Sequence, residues 1–140
     1  MASALDAANH IIEWCQKHDC TISNLKLQIF LYFVQAYFLV ESEGREACFN
    51  ERIEARCYGP VVPVVYAAYR KYGSLNIDES GEDVLPKSVA DRIDKVLEYF
   101  KDYSLLDLCE LVHSQTPWKN AFHPFCNQEI TSKSLLDFFK

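Results

Sequence analysis

Apolar residues recur at helical spacing through most of the chain. Ala8, Ile11, Ile12 and Cys15 make one stripe, which predicts a helix from Ala4 to His18. Ser3 stands as its N-cap, and Asp6, three residues on, places a negative charge at the positive end of the helix dipole. Thr21 to Asn24 break the pattern with capping side chains. A second helix is predicted from Leu25 to Ser42, ending before Gly44. Its segment "IFLYFVQAYFLV", residues 29–40, holds one polar residue, Gln35. Apolar positions cover every side of it, so other elements must surround it.

Residues 48–58, "CFNERIEARCY", alternate weakly between apolar and charged. A short strand or extended segment fits, with helix as the competing reading because Glu and Arg are good helix formers. Pro63 suits the first position of a helix continuing to Tyr72 and stopping at Gly73. Residues 73–85 are polar and acidic and read as an exposed loop. Pro86 opens a helix to Tyr103 with Val89, Ile93, Val96, Leu97 and Phe100 inward. Ser104 caps "LLDLCELVHS", Thr116 and Pro117 begin "WKNAF", and Thr131 or Ser132 begins the final "KSLLDFFK". Together these elements predict a mainly α, compact helical bundle of about five to seven helices with room for one short β-ribbon. Residues 1–140 are expected to form a single domain.

Composition supports a packed core: 49% of residues are hydrophobic and 14% aromatic. The residue 29–40 segment is too short for a membrane span, since twelve helical residues rise about 18 Å against a hydrocarbon core of about 30 Å. No secretory leader is expected in "MASALDAANHIIEWCQ", so a cytoplasmic location follows, with the six cysteines reduced and buried as small apolar groups.

The net charge of -6 argues against a protein dedicated to binding nucleic acid. The charge is uneven, however. Residues 45–72 carry five basic and three acidic side chains, whereas residues 73–110 carry four basic and ten acidic ones. Arg52, Arg56, Arg70 and Lys71 could face a nucleic acid or an acidic protein groove, although scattered charge is ordinarily solvated.

Candidate chemistry is thin. Cys109 and His113 stand four apart on one predicted helix, a spacing that permits a thiolate–imidazole pair. Both also lie on a stripe with Leu105, Leu108 and Val112, which favours a core role. Cys15, His18 and Cys20 could begin a zinc site, but a closed site needs four ligands and would have to borrow His10 or Cys126 across the fold. The four glycines are scattered singly, so no phosphate-binding loop is present. Neither a metal nor a cofactor is expected.

The most distinctive run is "YGPVVPVVY", Tyr58–Tyr66. Residues preceding proline are driven from the α region, so Gly59 and Val62 are expected to be extended. Pro60 and Pro63 fix their own φ, and Val61 and Val62 are stiff about χ1. The result is a rigid corner launched into a helix, with Val61, Val62 and Pro63 toward the core. "SQTPWKNAF" reads as architectural, with Trp118 following Pro117 at a helix start and locking onto the core.

"ISNLKLQIFLYFVQAYFLV", "FNERIEARCYGPVVPVVYAAYRKYG" and "ELVHSQTPWKNAF", in that order, resemble the Panacea-domain family, the SocA-like antitoxins that include phage-associated GepA-like proteins. The resemblance runs from about Ile22 to Phe122; its most specific block is the corner Gly59-Pro60-Val61-Val62-Pro63, and its last is His113 with Pro117 and Trp118. It departs at Ile29-Phe30, where the family often has Lys or a second Leu, and implies the bare module. It implies a mostly helical, non-enzymatic antitoxin, encoded beside a toxin and often in phages. Neutralisation by direct protein–protein binding is implied, with toxins of the small-alarmone-synthetase type among the partner classes. Some relatives act instead as adaptors that deliver the toxin to a protease. A phage-encoded DNA-binding regulator is a further alternative through the basic cluster. Tyr58, Tyr66, Tyr69, Arg70 and Arg56 are the candidate toxin contacts, since Tyr and Arg are favoured interface anchors.

Overall fold

A computed structural model describes residues 1–126 and 128–140. The chain forms seven α-helices and a small antiparallel sheet among these residues: α1 (Ala4–Lys17), α2 (Asn24–Glu41), β1 (Glu54–Arg56), β2 (Gly59–Val61), α3 (Pro63–Ala68), a 3₁₀ turn (Arg70–Tyr72), α4 (Lys87–Phe100), α5 (Leu105–His113), α6 (Thr116–Ala121), β3 (Gln128–Glu129) and α7 (Ser132–Phe139). The expected mainly α fold with one ribbon is what is found. No helix among the described residues is long and apolar enough to cross a membrane.

The hub is α2. Helices α1, α3, α4, α5 and α7 and strand β2 all pack on it, which is why apolar residues occupy every side of its sequence. Leu27, Ile29, Phe30, Leu31, Tyr32, Val34 and Phe38 are buried around its circumference. Capping follows the sequence closely. Ser3 and Asp6 form a capping box on α1, and Ser104 and Asp107 form another on α5. Ser23 accepts the Lys26 N–H at the start of α2. The α6 start differs by one residue: Gln115 is the N-cap, with Thr116 and Pro117 already in the first turn.

At the other end of α2, Glu43 takes the left-handed conformation at φ of 57° and Gly44, at φ of 84°, donates its N–H to the Leu39 carbonyl at 2.7 Å, the paired closure of a helix C-terminus. A Cβ here would stand 2.8 Å from Leu136 Cδ2, so the glycine also admits α7. Glu41, set against the helix dipole, has a structural partner. It accepts from the Tyr37 hydroxyl at 3.1 Å and from Arg92 of α4 at 3.3 Å, while the Arg92 guanidinium lies 4.3 Å from the Phe38 ring centroid. Glu43 pairs with Arg45 at 2.9 Å.

The strands order β2-β1-β3. Pro60, opposite Ala55, therefore lies on an edge strand, where its missing N–H is tolerated. Residues 73–85 form the expected, mostly exposed loop, tied down as a strap along α1 and its exit. Ile77 is fully buried and donates to the Ile22 carbonyl at 2.8 Å, while Asn76 Oδ1 accepts the Ile22 N–H at 2.7 Å. Asn9 Oδ1 accepts from Gly81 N–H, and Gln16 donates to the Asp78 carbonyl.

His10 of α1 is the strap's charged clasp. Its Nδ1–H donates to Asp83 at 2.7 Å and its Nε2–H to Asp94 of α4 at 2.6 Å. Burial opposes its charge, but the hydrogen bonds and charges of Asp94 and Asp83 prevail and hold the imidazole above its ordinary 6.5.

Candidate functional site

The Tyr58–Tyr66 corner begins as a hairpin tip. Arg56 pairs with Gly59, leaving Cys57 and Tyr58 as the two turn residues. Neither has a positive φ, and Gly59, directly after them, takes φ of 144°, a region open chiefly to glycine. Gly59 is extended as expected, as the first residue of β2. Val62 is extended as expected, at φ -96° and ψ 104°, and Pro63 opens α3 directly behind it. Pro60, Val61 and Val62 are buried, whereas Pro63 is half-buried.

What holds the corner is a row of polar groups on the otherwise apolar α2. Asn24 Nδ2 donates to the Tyr66 carbonyl at 3.0 Å. Gln28 Nε2 donates to Asn24 Oδ1 at 2.9 Å, and Gln28 Oε1 accepts the Val62 N–H at 2.8 Å. One turn further, the Tyr32 hydroxyl donates to Gln115 Oε1 at 2.7 Å. Gln35 then donates to the Phe49 carbonyl at 2.8 Å and accepts the N–H groups of Cys48 and Phe49. Four positions along one helix therefore receive the hairpin approach, the corner, the second half of α3 and the N-cap side chain of α6. The bonds to Cys48, Phe49 and Val62 are buried, and those backbone groups need their partners. The sequence reading took Asn24 only as a capping residue and gave Gln28, Tyr32 and Gln115 no such role. The signal of Asn24, Gln28 and Tyr32 was present as hydrogen-bonding side chains four residues apart in a largely buried helix.

The third block closes on the same hairpin. Trp118 Nε1–H donates to the Arg56 carbonyl at 2.8 Å, and its ring lies between His113, at 4.2 Å, and Phe122, at 4.8 Å. The His113, Pro117 and Trp118 cluster is thus joined to β1.

The expected partner contacts separate. Tyr58, 67% exposed at the hairpin tip, and Arg70 are open to a partner, and Tyr66 is half-buried. Tyr69 is not available: it is 9% exposed and donates its hydroxyl to Asn9 at 2.6 Å. Arg56 is half-buried against Glu54 at 2.8 Å. Arg52 also pairs with Glu54, at 3.2 Å, and the Lys71 ammonium sits over the Tyr72 ring. The basic cluster is therefore partly engaged within the fold.

The cysteines also separate. Burial pushes the Cys15 and Cys48 thiols up to about 12, whereas Cys57 and Cys126 are exposed, contrary to the expectation that all six are buried. Burial also raises the Cys109 thiol, the reverse of what nucleophilic activation requires. His18 donates to the Trp14 carbonyl and stacks on the Trp14 ring at 3.9 Å. Among the described residues no group of His, Cys, Asp or Glu is arranged to hold a metal.

Residues 27–119 match the family described as antitoxin SocA-like, Panacea domain. The chain belongs to this family. The matched span takes in Gln28, Tyr32 and Gln35, the whole corner, and Gln115 to Trp118, and so covers most of the hydrogen-bonded frame of the fold. Over 66 residues the chain is 42% identical to Antitoxin SocA of Caulobacter vibrioides (strain NA1000 / CB15N), a stretch covering 47% of this chain and 34% of that protein. The match thus spans about a third of that relative's length. No solved structure matches.

Proposed function

We propose that this protein is an antitoxin that neutralises a cognate protein toxin by binding it directly, without chemistry of its own. The observation that carries the reading is the Panacea-domain match over residues 27–119, supported by the name of the Caulobacter relative. The fold accords with a binding role. Gln28, Gln35 and Trp118 are spent on internal hydrogen bonds, and burial raises the pKa of the Cys109 thiol. The acidic balance of the chain disfavours a DNA-binding role.

The test is reconstitution. The product of the adjacent open reading frame is added to a cell-free translation system containing no protease, with and without this protein. Relief of inhibition by a stoichiometric amount supports direct blocking. Inhibition relieved only when a cellular protease is added would transfer the role to an adaptor, and no relief in either setting would defeat the antitoxin reading. Because the family resemblance extends to toxins of the small-alarmone-synthetase type, alarmone synthesis is the first toxin activity to assay.

A further inference from the structure

Helices α4 and α7 flank a stretch of α2 that they leave partly uncovered. Phe33, Ala36, Tyr37 and Val40 line the floor of the resulting trough, at the spacing of one helix face. Tyr99 and Phe100 of α4 form one wall and Phe139 of α7 the other. The floor and walls are consolidated by ring contacts, with Phe33 stacked on Phe100 at 4.3 Å and edge-on to Phe139 at 6.1 Å.

The trough holds about 320 Å³, at the small end of sites that enclose a ligand, about 300–1,000 Å³. Tyr99 is 69% exposed, so the trough opens to solvent along that wall. The floor residues span about two helical turns, or about 10 Å. An open apolar trough of that length suits an element laid along it.

Charge narrows the occupant. Each carboxylate of α4 is already engaged: Asp91 with Lys87 at 2.7 Å, Asp94 with His10 at 2.6 Å, and Glu98 with Lys101 at 2.6 Å. Lys95, which lines the trough and is exposed, has no ion-pair partner among the described residues. A single uncompensated ammonium beside an aromatic trough matches an apolar helix face flanked by a carboxylate.

We propose that the trough receives an amphipathic helix of the toxin, its apolar face packing on Tyr99, Tyr37 and Val40 and an acidic residue pairing with Lys95. This rests on the antitoxin reading and assigns that reading a surface other than the hairpin tip.

The adjacent gene product serves as probe in a binding titration against the wild-type protein and the Lys95→Glu, Tyr99→Ala, Tyr58→Ala and Arg70→Ala variants. All four sites are exposed, so circular dichroism and melting should match wild type. Lys95→Glu and Tyr99→Ala are each expected to weaken binding about tenfold or more, while Tyr58→Ala and Arg70→Ala stay near wild type. Reversal of one acidic residue on a toxin helix to Lys should restore binding to Lys95→Glu. Wild-type binding that survives both trough variants overturns the trough assignment alone, as does loss confined to Tyr58→Ala or Arg70→Ala. A dimer of this protein that Lys95→Glu dissolves would give the trough to a second copy and also overturn it. Absence of wild-type binding overturns the trough and the direct-blocking reading together.

Discussion

The Gln28 amide oxygen accepts the backbone N–H of Val62 at 2.8 Å, from a side chain that is wholly buried in α2. That one bond sets where the proline corner meets the central helix. Gln28→Leu would keep the volume but strand the Val62 N–H and remove a donor from Asn24. The expected cost is about 1–3 kcal/mol, read as a lower denaturant midpoint with an unchanged slope. A variant as stable as wild type would show that packing alone seats the corner.

Gly59 supplies a separate test of the same corner. A Cβ there would meet Ile29 at 3.9 Å, an ordinary contact, so space is not the obstacle. The backbone is, because φ of 144° is a region L-residues rarely occupy. Gly59→Ala should cost about 1–3 kcal/mol. Thermal unfolding at the wild-type temperature would refute the strain.

Trp118 combines ring packing with its bond to Arg56. Trp118→Phe isolates the hydrogen bond and should lose about 1 kcal/mol. Trp118→Ala should lose about 3 kcal/mol, the low end for a buried aromatic because the ring is half-exposed to begin with. Equal losses in a urea titration would mean that packing contributes little.

The helices were largely legible because their information is local. Ser3 with Asp6 and Ser104 with Asp107 announce helix starts through residues three apart, and apolar spacing marks each buried face. The ties of residues 73–85 were hidden for the opposite reason. Their composition is polar, yet Ile77, Asn76 and Asp83 take partners more than fifty positions away in α1 and at its exit. Tyr69 shows the same limit at the site. Tyrosine content nominates an interface residue, whereas only the fold reveals that Asn9 already holds its hydroxyl. Lys95 stands out once Asp91, Asp94 and Glu98 are each assigned elsewhere, which no linear pattern specifies.

The His10 clasp predicts a pH dependence of definite sign. Its folded pKa lies above the ordinary 6.5, so the folded state holds the proton more tightly. The stabilisation is complete below about 6.5 and fades as pH rises through the folded value. Hydrogen exchange in residues 73–85 should therefore accelerate as pH rises above about 6.5, beyond the intrinsic base-catalysed rise. His10→Gln should abolish that excess. An excess unchanged in the variant would assign it to another group.

Thiol accessibility divides the cysteines. Iodoacetamide at mildly alkaline pH should modify Cys57 and Cys126 first, while Cys15 and Cys48, buried with thiols pushed up to about 12, react only after denaturant is added. Peptide mass mapping reads the order directly. Early modification of Cys48 in native protein would indicate that the α2 end opens.

The polar row on α2 also bears on how the chain is made. Its partners lie 14, 34, 42 and 83 positions away from it in sequence. During synthesis α2 is made before all four of its counterparts, the last of them 83 positions later. The Tyr32 hydroxyl meets its mate only after Gln115 emerges. Closure of the core is thereby deferred until residue 115 is outside, and a product truncated before it would leave the buried Tyr32 hydroxyl unpartnered.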